Sequence, residues 1–100
     1  MKYKINVNEE DINNGIPGDC RGCAISQALR RKFKTDKTTV DIDVNGDVSI
    51  WVKNKEYEVY HKHESVVEDF IYDFDLLSHN PYDEYIQPNP ITFEMIERTE

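Results

Sequence analysis

The stretch TTVDIDVNGDVSIWV, residues 38–52, decides the fold. Two runs of alternating apolar and polar residues flank Asn45-Gly46, the pair that best tolerates the positive φ angles of a two-residue hairpin turn. Val40, Ile42 and Val44 are expected on one face of the first strand, and Val48, Ile50 and Val52 on one face of the second. Trp51 then stands on the face opposite Ile50. The next run, EYEVYH at 56–61, alternates again through Tyr57 and Val59, which extends the hairpin into a three-stranded meander.

Two more strands flank this meander. KYKINVN, residues 2–8, sets Tyr3, Ile5 and Val7 against Lys2, Lys4 and Asn6, the period of two of a half-buried strand. Near the other end Ile91, Phe93 and Met95 alternate with Thr92, Glu94 and Ile96, after a connector, HNPYDEYIQPNP, rich in proline and asparagine.

Two segments change to helical spacing. Ala24, Ile25, Ala28, Leu29 and Phe33 recur at intervals of three and four, with Gln27, Arg30, Arg31, Lys32 and Lys34 around them, an amphipathic helix with a basic outer side. The preceding EEDINNGIPG reads as a loop that runs to Asp19, the expected helix cap. Over residues 65–78, Ser65 and Glu68 have the spacing of a capping box, and Val67, Phe70, Ile71, Phe74 and Leu77 form an apolar face. The order β-α-β-β-β-α-β predicts one α+β domain over residues 1–100. It would be a mainly antiparallel sheet of about five strands with two helices on one face.

The 100 residues hold 12 Lys and Arg against 20 Asp and Glu, a formal charge of −8. Such a surface repels a phosphate backbone, so direct nucleic-acid binding is not expected, and basic protein surfaces become the natural partners. Apolar runs fall short of the roughly 20 residues a membrane helix needs, and the first residues lack the apolar core of a secretion signal, so a cytoplasmic protein is expected.

Four groups of residues carry candidate chemistry. Cys20-Arg21-Gly22-Cys23 has the spacing of a redox pair, but a turn-rich loop precedes it where redox folds place a buried parallel strand, and Cys23 reads more simply as a small core residue. The same cysteines with His61 and His63 would make a tetrahedral Cys2His2 zinc set if YHKH were extended, at a spacing that matches no standard finger; no cofactor is otherwise implied. GDCRGCAIS, residues 18–26, offers an anion cradle at a helix start, formed by Asp19, Arg21, Gly22, Ser26 and Arg30, that would sequester a small nucleotide-like signal in an oligomer. The fourth group is acidic: Glu68, Asp69, Asp73, Asp75, Asp83 and Glu84, interleaved with Tyr72, Tyr82 and Tyr85. Carboxylates there would replace DNA phosphates on a basic partner, and tyrosines give large contacts at low entropic cost. No serine-histidine arrangement supports hydrolysis, and Asp41 and Asp43 lie on the exposed face of a strand, so an enzyme is not expected.

The strand followed by a Gly-Asp turn, the helix CAISQALRR at 23–31, and FIYDFD at 70–75 with the later PITFEM at 90–95 together resemble an uncharacterised family of small bacteriophage-encoded proteins. The resemblance implies a phage origin and supplies no catalytic residue. It leads to the expectation of an accessory protein, active in the host cytoplasm, that binds and inhibits a host defence or nucleic-acid-handling protein. Ala24, where such helices often carry proline, and the long acidic connector from Ser78 to Asn89 depart from the family pattern.

Overall fold

The hairpin forms where the alternation placed it. In the computed structural model, which describes residues 2–17, 19, 21–42, 47–76 and 88–98, β2 (Thr38–Ile42) and β3 (Val48–Val52) pair antiparallel with Val40 opposite Ile50. Its turn, with Val44, lies outside the described residues. β4 (Lys55–Val59) follows β3 through the two-residue turn Lys53-Asn54 and pairs Tyr57 with Ile50. Val48, Ile50, Val52, Tyr57 and Val59 are buried, and Trp51 is turned to the other face between Thr39 and Glu56. Ile42 shares its face of β2 with Val40 but, at the end of the strand, is 40% exposed where Val40 is buried.

The last strand is the keystone of the sheet. β5 (Ile91–Glu97) pairs antiparallel with β4 on one side and with β1 (Lys2–Val7) on the other, which gives the order β1-β5-β4-β3-β2. Phe93 and Met95 point inward from β5 opposite Ile5 and Tyr3, so the centre of the sheet is apolar on its inner face alone. The outer face carries Lys2, Lys4, Glu56, Glu58 and Glu94.

Two long helices cover the inner face. α2 (Ala24–Phe33) buries Ala24, Ile25, Ala28 and Leu29, and it packs against both edge strands, β1 and β2, so the sheet curls around it. α3 (Glu64–Leu76) buries Val67, Phe70 and Phe74 in the same core and packs on β5. The fold is therefore the expected α+β architecture, a five-stranded antiparallel sheet with helices on one face. No helix among the described residues is long and apolar enough to cross a membrane.

Three local readings change. The segment after β1 is not a continuous loop: α1 (Glu9–Asn14) forms there, because Asn8 and Asp11 cap each other reciprocally, each side chain accepting the other's backbone N–H at 2.9 and 3.0 Å. Asp19 does not cap α2. Its carboxylate accepts the Arg21 N–H at 2.9 Å and its carbonyl accepts the Gly22 N–H, while the Ile16 N–H bonds the Gly22 carbonyl, so Asp19 is engaged with Arg21 and Gly22 ahead of the helix and Cys23 takes the cap position. α3 begins at Glu64, directly after a 3-10 turn at His61–His63, which leaves Ser65 exposed inside the first turn; Leu77 lies outside the described residues.

Candidate functional site

The periodicity that buries one side of α3 dictates what the opposite side shows. With Val67, Phe70 and Phe74 turned inward, and the last two rings stacked 5.9 Å apart, Asp69, Tyr72 and Asp73 face outward. Tyr72 is 67% exposed, unusually open for a tyrosine. Glu68 and Asp75, four residues before and three after it, are its neighbours on the helix surface and are half-buried along the flank. The acidic tyrosine-bearing face read from the sequence is therefore real over α3. Tyr82, Asp83, Glu84 and Tyr85, expected to continue it, lie outside the described residues.

Beside this face the fold makes a cleft of about 300 Å³. Its wall is apolar, built from Ile25 of α2, Val40 and Ile42 of β2, and Phe70, Ile71 and Phe74 of α3, with Cys23 at the helix start. Three carboxylates line it as well: Asp19 from the loop before α2, Asp41 from β2 and Asp75 from α3. None of the described lining residues is basic. Like charges held against low-dielectric walls focus a negative potential into the cleft, which favours an occupant that is cationic at one end and apolar at the other. The exposure of Ile42 belongs to this arrangement, since its side chain forms part of the wall rather than of the core.

Sequence reasoning missed the cleft. Asp41 was read only as an exposed strand residue, and Asp19 as a helix cap or part of an anion site. No local pattern joins residues 19, 41 and 75, because the junction of three elements creates their proximity.

The same geometry disperses the anion cradle. The Ser26 hydroxyl is fully buried and lies 2.6 Å from Thr38 Oγ1. Arg30 donates from Nη2 to the Arg21 carbonyl at 2.7 Å and from Nε to Thr38 Oγ1 at 3.4 Å. Gly22 is buried, and a Cβ placed there would lie 3.1 Å from Asp19 Oδ2, so a carboxylate already covers the turn at which an anion was expected. Arg21 contributes its backbone to the loop and leaves its side chain exposed.

The zinc set is not assembled either. YHKH is a 3-10 turn rather than a strand, His61 packs edge-on against Tyr60, and His63 Nδ1 accepts the Glu94 N–H at 3.0 Å. Cys23 is buried at the start of α2, and Cys20 lies outside the described residues, with the redox reading that depends on it. Among the described residues no group of three or more His, Cys, Asp or Glu could hold a metal ion.

Comparison with protein-family models, with curated proteins and with solved structures finds no match to this chain.

Proposed function

We propose that the protein is a non-enzymatic binding module that captures a basic surface of another protein with the outer face of α3 and the carboxylate-lined cleft beside it. The observation that carries this reading is the placement of Tyr72. It stands open to solvent between Asp69 and Asp73, while Asp75 continues the negative charge along the helix flank to the cleft. A lysine or arginine of the partner would find carboxylates on either side of a tyrosine ring, with apolar wall close by for its aliphatic stem.

The partner class follows from charge. A host defence or nucleic-acid-handling protein presents a basic face to phosphates, and a protein of charge −8 with clustered carboxylates competes for that face without being nucleic acid itself. A phage accessory role suits such a competitor. Rim charges chiefly accelerate association and are screened by salt, so capture should weaken steeply between low and physiological ionic strength.

The test uses the chain as bait in host lysate beside the double variant Asp69→Lys, Asp73→Lys. Both positions are exposed, so the variant should keep its melting temperature. A stoichiometric host protein that the wild type retains and the variant releases supports the reading, as does release of that protein from the wild type at about 0.5 M salt. Equal retention by both forms at all salt concentrations overturns it.

A further inference from the structure

The residues that line the acidic cleft sort by burial into two sets. Cys23, Ile25, Val40, Phe70 and Phe74 are buried and close its floor. Those left open to a guest are two isoleucines and three carboxylates: Ile42 is 40% exposed, Asp41 is exposed, and Asp19, Ile71 and Asp75 are half-buried. Two of the walls each pair one isoleucine with one carboxylate. On α3 these are Ile71 and Asp75, four residues apart and so neighbours on the helix surface. On β2 they are Asp41 and Ile42, the last residues of an edge strand, and both line the cleft. Asp19 adds a third charge from the loop before α2.

This layering decides which end of an amphipathic guest goes in. A lysine or arginine head pushed to the floor would give up its water among Ile25, Phe70 and Phe74, where the buried lining is apolar. An apolar side chain set against Ile42 and Ile71 instead covers exposed hydrocarbon, and basic neighbours on either side of it stay at the rim with the carboxylates and with water. Rim charges are screened by solvent, so they guide and select the guest, whereas contact with the isoleucines holds it. A cleft of about 300 Å³ is at the small end of the range of ligand pockets, which suits one bulky side chain rather than the face of a helix.

We propose that the cleft receives a short segment of a partner protein in which one bulky apolar side chain stands between basic residues. The apolar group is seated against Ile42 and Ile71, and the basic groups are drawn to Asp41, Asp75 and Asp19. Charge complementarity selects this occupant: no described lining residue is basic, and three carboxylates frame the open apolar surface. The inference rests on the cleft's share in the binding surface proposed above, and it adds the pattern that the partner must carry, basic-apolar-basic. Asp69 and Asp73 line no part of the cleft, so the outer face of α3 and the cleft can be tested apart.

The experiment is an NMR titration of the whole chain with the peptide Arg-Leu-Arg, acetylated and amidated at its ends, beside capped Arg-Ala-Arg, capped Glu-Leu-Glu and butylammonium. Arg-Leu-Arg is expected to shift amides of residues 41–42 and 70–75, Arg-Ala-Arg to bind about tenfold more weakly, and Glu-Leu-Glu not to bind. The Asp41→Asn, Ile42→Thr double variant changes two exposed side chains and should lose about tenfold in affinity for Arg-Leu-Arg. Should it melt well below the wild type, Asp41→Asn alone carries the test, with a loss of about threefold. The Asp69→Asn, Asp73→Asn variant should bind the peptide as the wild type does. No shifts at about 5 mM peptide, equal binding of Arg-Ala-Arg or butylammonium, or an equal loss in the Asp69→Asn, Asp73→Asn variant would overturn the proposal. Concentration-dependent shifts of the same amides in the chain alone would also overturn it, by marking a second copy as the occupant. Host-protein capture undiminished in the Asp41→Asn, Ile42→Thr variant overturns it too, yet leaves the outer face of α3 as the binding surface, so the two readings fail separately.

Discussion

Arg31 on α2 reaches back to the start of α1, where its Nη2 lies 2.8 Å from the Asp11 carboxylate and 2.8 Å from the Asn6 carbonyl. Asp11 is buried, and the same carboxylate accepts the Asn8 N–H. One side chain thus caps α1, compensates a guanidinium and ties the first connection to the second helix. Asp11→Ala removes the cap and leaves Arg31 without its carboxylate, and should cost about 2–3 kcal/mol in urea denaturation. A loss below about 0.5 kcal/mol, the size of an ordinary surface change, would show that the contact does not hold α1 in place.

Gly15 is required by space rather than by backbone freedom. Its φ of −73° suits any residue, yet a Cβ there would lie 2.6 Å from the Ala24 nitrogen and 2.9 Å from Phe74 Cζ. Gly15→Ala must push α2 or α3 outward and should cost about 1–3 kcal/mol. Gly22→Ala meets chiefly the ends of the Asp19 and Ile16 side chains, which can turn aside, and should cost less. Thermal melting of the two variants side by side checks the order.

Ser26 and Thr38 form a buried hydroxyl pair between α2 and β2. Thr38→Val strands the Ser26 hydroxyl in the core and should cost about 1–2 kcal/mol, whereas Ser26→Ala leaves Thr38 Oγ1 with the Ser26 carbonyl and Arg30 Nε, both at 3.4 Å, and should cost less. The double variant leaves no hydroxyl of the pair unmatched, so its cost should fall short of the sum of the singles by about 1 kcal/mol. Strict additivity in a denaturation cycle would show the two hydroxyls to be independent.

Tyr57 sets an alkaline limit. Burial, reinforced by Tyr3 and Glu97, raises its hydroxyl above the ordinary 10.0, so the folded chain holds this proton to higher pH than the unfolded chain does. The resulting stability is complete below that ordinary value and is lost as the pH climbs through the raised one. Urea midpoints between about pH 8 and pH 11 should fall at the alkaline end, and Tyr57→Phe should flatten that fall. An unaltered profile in the variant would assign the alkaline loss to other groups.

How much was legible beforehand varies by element. Hairpin, meander and final strand were readable because alternation of two is a local signal, and Val48, Ile50, Val52, Tyr57 and Val59 all turned inward as their positions required. α1 was not, since Asn14-Gly15 and Pro17-Gly18 are strong turn signals that masked the Asn8–Asp11 cap, and a six-residue helix has too few turns to show a periodicity. Asp19 was misplaced as a cap for a related reason: aspartate is equally at home closing a turn on the N–H two residues ahead, and only the loop geometry selects between the two.

The acidic outer face of α3 was determined by the sequence alone, because helical spacing decides which residues share a side once the apolar ones are buried. The cleft was decided by tertiary structure. Asp19, Asp41 and Asp75 come from elements far apart in the chain, and they meet because α2, α3 and β2 bury their apolar sides in one core. Period and propensity act over a few residues, whereas the meeting of three elements depends on how the core closes.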